Sequence, residues 1–228
     1  MLLTIDDVLN PAELVMARHW LDAASWSGGH VTAGAQAAQV KNNLQLAEGA
    51  QGLTELRQLV LKALSRSALF FTATLPLKIA PPGFNQYMGA TNMYGAHADS
   101  AMRMDPGQPG ACLRSDISAT LFLTEPQDYD GGVLTIHDTF GLHGIKLKAG
   151  SMVVYPSSSL HSVSPVTLGA RTSCFMFIQS MVRDAGQRRI LYDMDMALLS
   201  LRAEHGETQA IVALTSTYQN LLRCWAEN

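Results

Sequence analysis

A chain of 228 residues with 47% hydrophobic and only 15% charged side chains is apolar enough to bury a substantial core as one main domain, which excludes a disordered or fibrous protein. Its net charge of -3, from 16 basic and 19 acidic residues, gives no general attraction for phosphate backbones, so nucleic acid is not an expected partner. Cys112, Cys174 and Cys224 are odd in number and widely spaced, which argues against a disulfide framework or a thiolate zinc site; with no basic-apolar leader and no membrane-length apolar run, a cytoplasmic protein without a membrane partner is expected.

Asn10-Pro11-Ala12-Glu13 combines a capping residue, proline at the first helical position and glutamate at the third. Leu14, Ala17, Leu21 and Ala24 follow at helical spacing, which predicts a helix over 11–24. Gly28 and Gly29 end it, and 31–50 reads as a strand plus a mobile loop. The stripe Leu56, Leu59, Val60, Ala63 and Leu64 predicts one helix over 53–70. Beyond it, short apolar or alternating runs separated by Pro, Gly and Asp predict strands over 75–80, 84–87, 93–99, 115–123, 133–138, 151–155, 161–166 and 172–181. Gly169-Ala170 reads as the turn before the last of these. So many short strands fit a double-sheet jelly roll. The stretch 187–225 shows two helical patterns around His205-Gly206-Glu207; the second carries Ile211, Leu214, Tyr218, Leu221, Leu222 and Trp225. That helix either folds back on the barrel or makes a subunit interface, so a homodimer is one of two expectations. The predicted fold is mainly β with flanking helices: a jelly-roll (double-stranded β-helix) core over about 75–182 within a domain of 1–182 that includes the N-terminal helices, then a C-terminal helical extension over 183–228.

Within the β region, His97-Ala98-Asp99 is followed by His161 and then Arg171. A histidine and an aspartate two apart on a strand project from one face, and one histidine from another strand lets them grip a metal on one side only. Two imidazoles and a carboxylate so arranged suit iron(II), with the vacant positions open to a co-substrate and dioxygen. His-x-Asp alone is a weak signal. Its context strengthens it, because His97 and Asp99 end a strand before a Gly/Pro-rich loop and His161 opens a late strand behind the turn Tyr155-Pro156-Ser157-Ser158-Ser159. Arg171 would be costly inside a β core without an anion, and its planar guanidinium can hold a carboxylate bidentately.

Other residues have plainer readings. His19 and His205 lie on helical patterns, His30 in an irregular stretch, and His137 and His143 flank a turn; all are expected at the surface. Tyr87 shares a strand face with Asn85 and reads equally as a barrel aromatic or a co-substrate contact; Tyr94 is similarly ambiguous. Arg103, Arg114 and Asp116 are read by default as solvated loop charges.

These residues together resemble the iron(II)- and 2-oxoglutarate-dependent dioxygenases, in their prolyl-4-hydroxylase-like branch. The stretches Thr32-Ala33-Gly34-Ala35-Gln36, Gln39-Val40-Lys41-Asn42-Asn43, Ala68-Leu69-Phe70-Phe71, Tyr155 to His161 and Asn220 to Glu227 are similar to the bacterial PKHD-type hydroxylases, almost end to end. The resemblance implies iron on His97, Asp99 and His161, and the 2-oxoglutarate carboxylate on Arg171; Tyr87, from its place on the strand, is a candidate second contact for that carboxylate. It implies dioxygen as the oxidant, ascorbate as an aid to keeping iron reduced, and hydroxylation coupled to decarboxylation of 2-oxoglutarate to succinate. It supplies no primary substrate; a protein side chain is suggested only by analogy with the prolyl hydroxylases. Two other readings stay open at this point. One is a cupin-like metal enzyme that does not use 2-oxoglutarate, the other a non-catalytic iron- or oxygen-sensing module.

Overall fold

The computed structural model describes residues 1–32, 35–104 and 110–227. Ala33-Gly34, inside one of the quoted stretches, and 105–109, in the loop after Asp99, lie outside the described residues. In chain order the elements are β1 (Leu3–Ile5), α1 (Pro11–Ala23), β2 (Trp26–Gly28), α2 (Ala35–Val40), β3 (Lys41–Asn42), β4 (Leu44–Leu46), α3 (Leu53–Ser65), α4 (Ala68–Thr74), β5 (Pro76–Ile79), β6 (Gly83–Met88), β7 (Met93–His97), β8 (Met102–Met104), β9 (Cys112–Arg114), β10 (Ile117–Phe122), β11 (Tyr129–Gly131), β12 (Leu134–Asp138), β13 (Gly141–Ile145), β14 (Met152–Pro156), β15 (His161–Val163), β16 (Val166–Ser180), α5 (Ala185–His205) and α6 (Gln209–Trp225).

Among the described residues the strands form three sheets. The large one runs β1-β14-β10-β16-β6-β4-β2, with β5 and β11 also on β16; the smaller runs β13-β12-β15-β7-β3; β8 and β9 pair alone. Strand alternation explains how the layers stack. Ile117, Ala119 and Leu121 of β10, Met152 and Val154 of β14, and Cys174, Met176 and Ile178 of β16 face a helical layer with Ala17, Leu21, Leu56 and Val60. The intervening Phe122, Val153 and Tyr155 face the small sheet and meet Leu134, Ile136 and Val163. This is the expected jelly roll, and the same alternation on β16 turns Arg171, Ser173, Phe175 and Phe177 into the space between the sheets. Burying each large apolar chain contributes about 1.5–3 kcal/mol, so the two faces fix the strand register together.

Local chemistry sets the helices. Asn10 accepts from Glu13 N–H at 3.0 Å while Glu13 accepts from Asn10 N–H at 2.9 Å, closing the predicted capping box. The single helix expected over 53–70 is two, because the Ser67 hydroxyl accepts from Phe70 N–H at 3.2 Å and starts α4 afresh. The stretch 31–50 holds α2, β3 and β4 where a strand and a loop were expected; β3 is held by pairing with β7 and β4 by pairing with β2 and β6, support that local periodicity does not reveal. The predicted turn at Gly169-Ala170 does not exist. β16 continues through it, paired with β6 at Ala170 and with β11 at Gly169. Gly169 has φ +73° there, and a Cβ would lie 2.1 Å from the Asp128 carbonyl oxygen, so both the backbone conformation and the close strand crossing call for glycine. The tail helices pack on each other and on α4 through Leu75, Leu191, Leu198, Ile211 and Tyr218, so α6 folds back. No described helix is long and apolar enough to cross a membrane.

Candidate active site

His97 ends β7 and His161 opens β15, and the antiparallel register sets them directly opposite each other. Both are buried, with ring centroids 4.2 Å apart. Each Nδ1 faces a backbone carbonyl two residues earlier, Gly95 at 2.8 Å for His97 and Ser159 at 3.0 Å for His161. A carbonyl can only accept, so each Nδ1 carries a proton, which leaves Nε2 as the atom of each ring available to a metal. Burial, and then the neighbouring His161, lower His97 to about 4, so its ring is neutral at physiological pH and able to ligate.

Asp99 lies two residues past the end of β7, not on the strand as predicted, yet its Oδ2 comes within 3.7 Å of His161 Nε2. Ligand atoms of His97, Asp99 and His161 all lie within 4.8 Å of one another, close enough to share one cation. Since no strand fixes Asp99, side chains do. Ser118 Oγ donates to Asp99 Oδ2 at 2.7 Å and is itself 2.8 Å from Ser157 Oγ; both serines are buried. Tyr94 stacks on His97 with centroids 3.5 Å apart, and Tyr155 meets His161 edge-on at 5.2 Å. Two imidazoles and one carboxylate, oriented by their own hydrogen bonds, fit iron(II).

Arg171 lines the same cavity, a narrow space of about 60 Å³, and is only 1% exposed. It sits opposite Tyr87 in the β16/β6 register, and its guanidinium lies 5.1 Å from the Tyr87 ring centroid and 5.0 Å from that of Phe122. Nη1 donates to Ser173 Oγ at 2.9 Å, which donates to Asn85 Oδ1 at 2.6 Å. Nε is buried with no partner, and no acidic side chain among the described residues pairs with this cation. A buried, incompletely satisfied guanidinium is costly in isolation, and an anion in the cavity would offset that cost. Tyr87 is buried too, which pushes its phenol up so that it stays protonated and can donate toward such an anion.

All five predicted site residues therefore line one cavity. His19, His30 and His205 are exposed and away from it, while His137 and His143 lie on the β12/β13 hairpin. The default reading of three loop charges as solvated is corrected. Arg114 and Asp116 form a partly buried ion pair at 2.7 Å, and Asp116 also accepts from Ser180 N–H. Arg103 packs its guanidinium 3.3 Å from the Phe177 ring centroid and lies 3.7 Å from Asp99. Sequence reading missed Ser118 and Ser157. The available signal for Ser118 was a small polar residue at an inward position of β10, in step with Phe122.

The family described as the 2OG-Fe(II) oxygenase superfamily matches residues 82–179, and the PKHD-type hydroxylase C-terminal domain matches 185–227. A PKHD-type hydroxylase of Nitrosomonas europaea is 64% identical over 228 residues, and one of Azoarcus sp. strain BH72 is 61% identical; each match covers all of both chains. Among solved structures, a prolyl hydroxylase from Trichoplax adhaerens, in complex with a hypoxia inducible factor oxygen degradation domain peptide fragment, aligns with a TM-score of 0.53 at 13% identity, covering 83% of this chain and 86% of that one. The non-heme alpha ketoglutarate dependent epimerase SnoN from nogalamycin biosynthesis aligns with a TM-score of 0.55 at 12% identity, covering 79% and 78%. At such identities these two likenesses bear on the fold alone.

Proposed function

The chain belongs to the PKHD-type hydroxylases of the 2OG-Fe(II) oxygenase superfamily, and from that premise we propose that His97, Asp99 and His161 hold its iron while Arg171, with Tyr87, receives the far carboxylate of 2-oxoglutarate. The protein is a dioxygenase of the hydroxylase type that takes Fe(II), 2-oxoglutarate and dioxygen. When bound, the iron supplies the redox centre at which 2-oxoglutarate loses carbon dioxide to give succinate, with one oxygen atom entering succinate and the other a substrate C–H bond.

The chain's own residues supply position and exclusion. The paired Nδ1–H bonds of the two histidines hold both Nε2 atoms toward one point, and Ser118 turns Asp99 toward the same point. Arg171 is prepositioned by Ser173 and Asn85 and needs no rearrangement to meet a carboxylate. Leu134, Val163 and Met176 wall the cavity with apolar surface and limit water around the reacting atoms. The observation that carries this reading is a buried arginine without an acidic partner in the cavity of a His-Asp-His cluster. A cupin-like enzyme without 2-oxoglutarate leaves that arginine without a purpose. Succinate release from 2-oxoglutarate by the iron-loaded wild-type chain, weakened in Arg171→Ala at low 2-oxoglutarate concentration, is the test.

We further propose a protein side chain as primary substrate, by analogy with the peptide bound to the Trichoplax prolyl hydroxylase, and ascorbate as the agent that keeps iron reduced. Three free cysteines support a reducing, cytoplasmic setting. We also propose a division into a dioxygenase domain of 1–182 and an extension of 183–228; separate family matches over 82–179 and 185–227 support a boundary between them. With Ile211 and Tyr218 turned inward, a homodimer would use the outer faces of the tail, where Ile190, Leu199 and Val212 are exposed; sizing in solution tests it.

A further inference from the structure

A second cavity of about 380 Å³ adjoins the first and shares Gln45, Phe175 and Phe177 with it. Its walls combine polar groups, among them Gln45, Ser100 and Arg103, with the apolar side chains of Phe84, Phe177 and the exposed Met102 and Met104 of β8. Arg103 sits between those two methionines, at the junction of the cavities. Its Nε is buried with no partner, and Asp99, 3.7 Å from Nη2, is the acid it meets.

Asp99 faces Arg103 through Oδ1 and His161 through Oδ2, so its single negative charge is shared between Arg103 and the triad. The described residues lining the two cavities include four cationic side chains, Lys41, Arg57, Arg103 and Arg171, against two acids, Glu48 and Asp99. Arg57 and Glu48 neutralise each other through bonds of 2.9 and 2.5 Å. The charges of Fe(II) and dianionic 2-oxoglutarate cancel, so the loaded site retains an excess of positive charge, within a chain whose net charge is -3. That excess lies on the side of Arg103, because Arg171 faces the co-substrate and the Lys41 ammonium is lowered to about 8, first by burial and then by the nearby charge of Arg103. An anion placed beside Arg103 offsets its charge.

We infer that the outer cavity receives the primary substrate and that this substrate is a peptide segment whose acidic side chain pairs with Arg103, beside an aliphatic residue directed past Phe175 and Phe177 toward the triad. A peptide is favoured because, among the described residues, β8 pairs only with β9, so its other edge offers backbone groups to an extended chain, and the mixed polar and apolar lining suits alternating side chains. The inference rests on the proposed function of the inner cavity.

The test uses the whole chain loaded with Fe(II) and 2-oxoglutarate without oxygen, so that bound peptides are not turned over. Short random peptides on beads are selected against it, and the retained sequences are remade with each Asp or Glu changed to its amide. Retained sequences should be rich in Asp or Glu at a fixed distance from an aliphatic residue. The amide versions should bind roughly ten- to hundredfold more weakly, the scale of a lost charge-assisted bond. Arg103→Gln should abolish the preference for acid over amide, and Arg103→Lys should restore part of it. Absence of acid enrichment, a preference unchanged in Arg103→Gln, or retention of free carboxylic acids but no peptides would each overturn the inference. If Arg103→Gln does not fold, the acid and amide peptides on the wild-type chain still decide. Titration of 2-oxoglutarate into the same wild-type protein reports the inner cavity separately, so loss of peptide recognition and loss of the co-substrate site are distinguishable.

Discussion

Ser118 donates its hydroxyl hydrogen to Asp99 Oδ2 at 2.7 Å, a tether from the large sheet to the one triad residue that no strand positions. His97 and His161 need no such help, because cross-strand register sets them face to face. The triad thus depends on two different devices, backbone pairing for the imidazoles and a side-chain bond for the carboxylate.

Ser118→Ala removes that bond while leaving every proposed ligand in place. A hydrogen bond to a charged group is worth about 1.5–3 kcal/mol, so anaerobic iron titration should show affinity weakened by roughly ten- to hundredfold. An unchanged titration curve would show that Asp99 is held by something else.

Asp99→Ala should abolish stoichiometric iron binding in the same titration, since two imidazoles alone remain. Asp99→Glu should bind iron yet turn over poorly, because one added methylene displaces the carboxylate beyond what a preorganised site tolerates. Wild-type affinity in Asp99→Ala would mean that the metal lies elsewhere.

Arg171→Ala should raise the KM for 2-oxoglutarate by roughly ten- to hundredfold, following the loss of a charge-assisted pair. Initial rates of succinate release against 2-oxoglutarate concentration check the KM, and anaerobic calorimetric titration should show the Kd weakened in parallel. A KM within error of the wild type would remove Arg171 from the role.

The Asn10, Glu13 and Arg66 cluster couples stability to pH. Arg66 holds the Glu13 carboxyl below its ordinary range, and the pair joins the start of α1 to the end of α3. A carboxyl lowered on folding contributes stability above its unfolded pKa and loses it as pH falls through the folded value. Glu13→Gln should therefore be less stable than wild type in urea at neutral pH, with the gap closing in acid. Asn10→Ala should cost about 1 kcal/mol from the lost cap. A Glu13→Gln deficit that persists in acid would sink the electrostatic account.

Truncation after Val182 should yield an aggregating chain. It uncovers Leu75 and Val182, both fully buried against α5 and α6, and removes Glu227, whose N–H donates to the Met181 carbonyl at 2.7 Å. Sizing chromatography checks the outcome; a monodisperse, succinate-releasing fragment would show that the extension is dispensable for folding.

Several features were legible from residues alone because their causes are local or periodic. The Asn10 capping box, the stripe on α3 and the alternation of β10 and β14 each follow from a few neighbouring side chains. His97, Asp99, His161 and Arg171 stood out because buried ligating or cationic groups need an explanation in an apolar β region. The break at Ser67, the short strands β3 and β4 and the passage of β16 through Gly169 were not legible, since each depends on partners distant in sequence.

By itself the sequence determined the period of each element, and so which faces are apolar, and the kinds of donor atom available to a metal and an anion. Only the tertiary structure decided where those donors meet. Register between β7 and β15 brings His97 to His161 across 64 positions of chain, and the Ser118 bond brings in Asp99 from beyond the strand end. The packing of Arg103 on Phe177, against its reading as a solvated charge, is likewise a fact of three dimensions. Side-chain type and spacing are inherited along the chain, whereas distance between remote residues is fixed by the burial of both faces of a sheet at once.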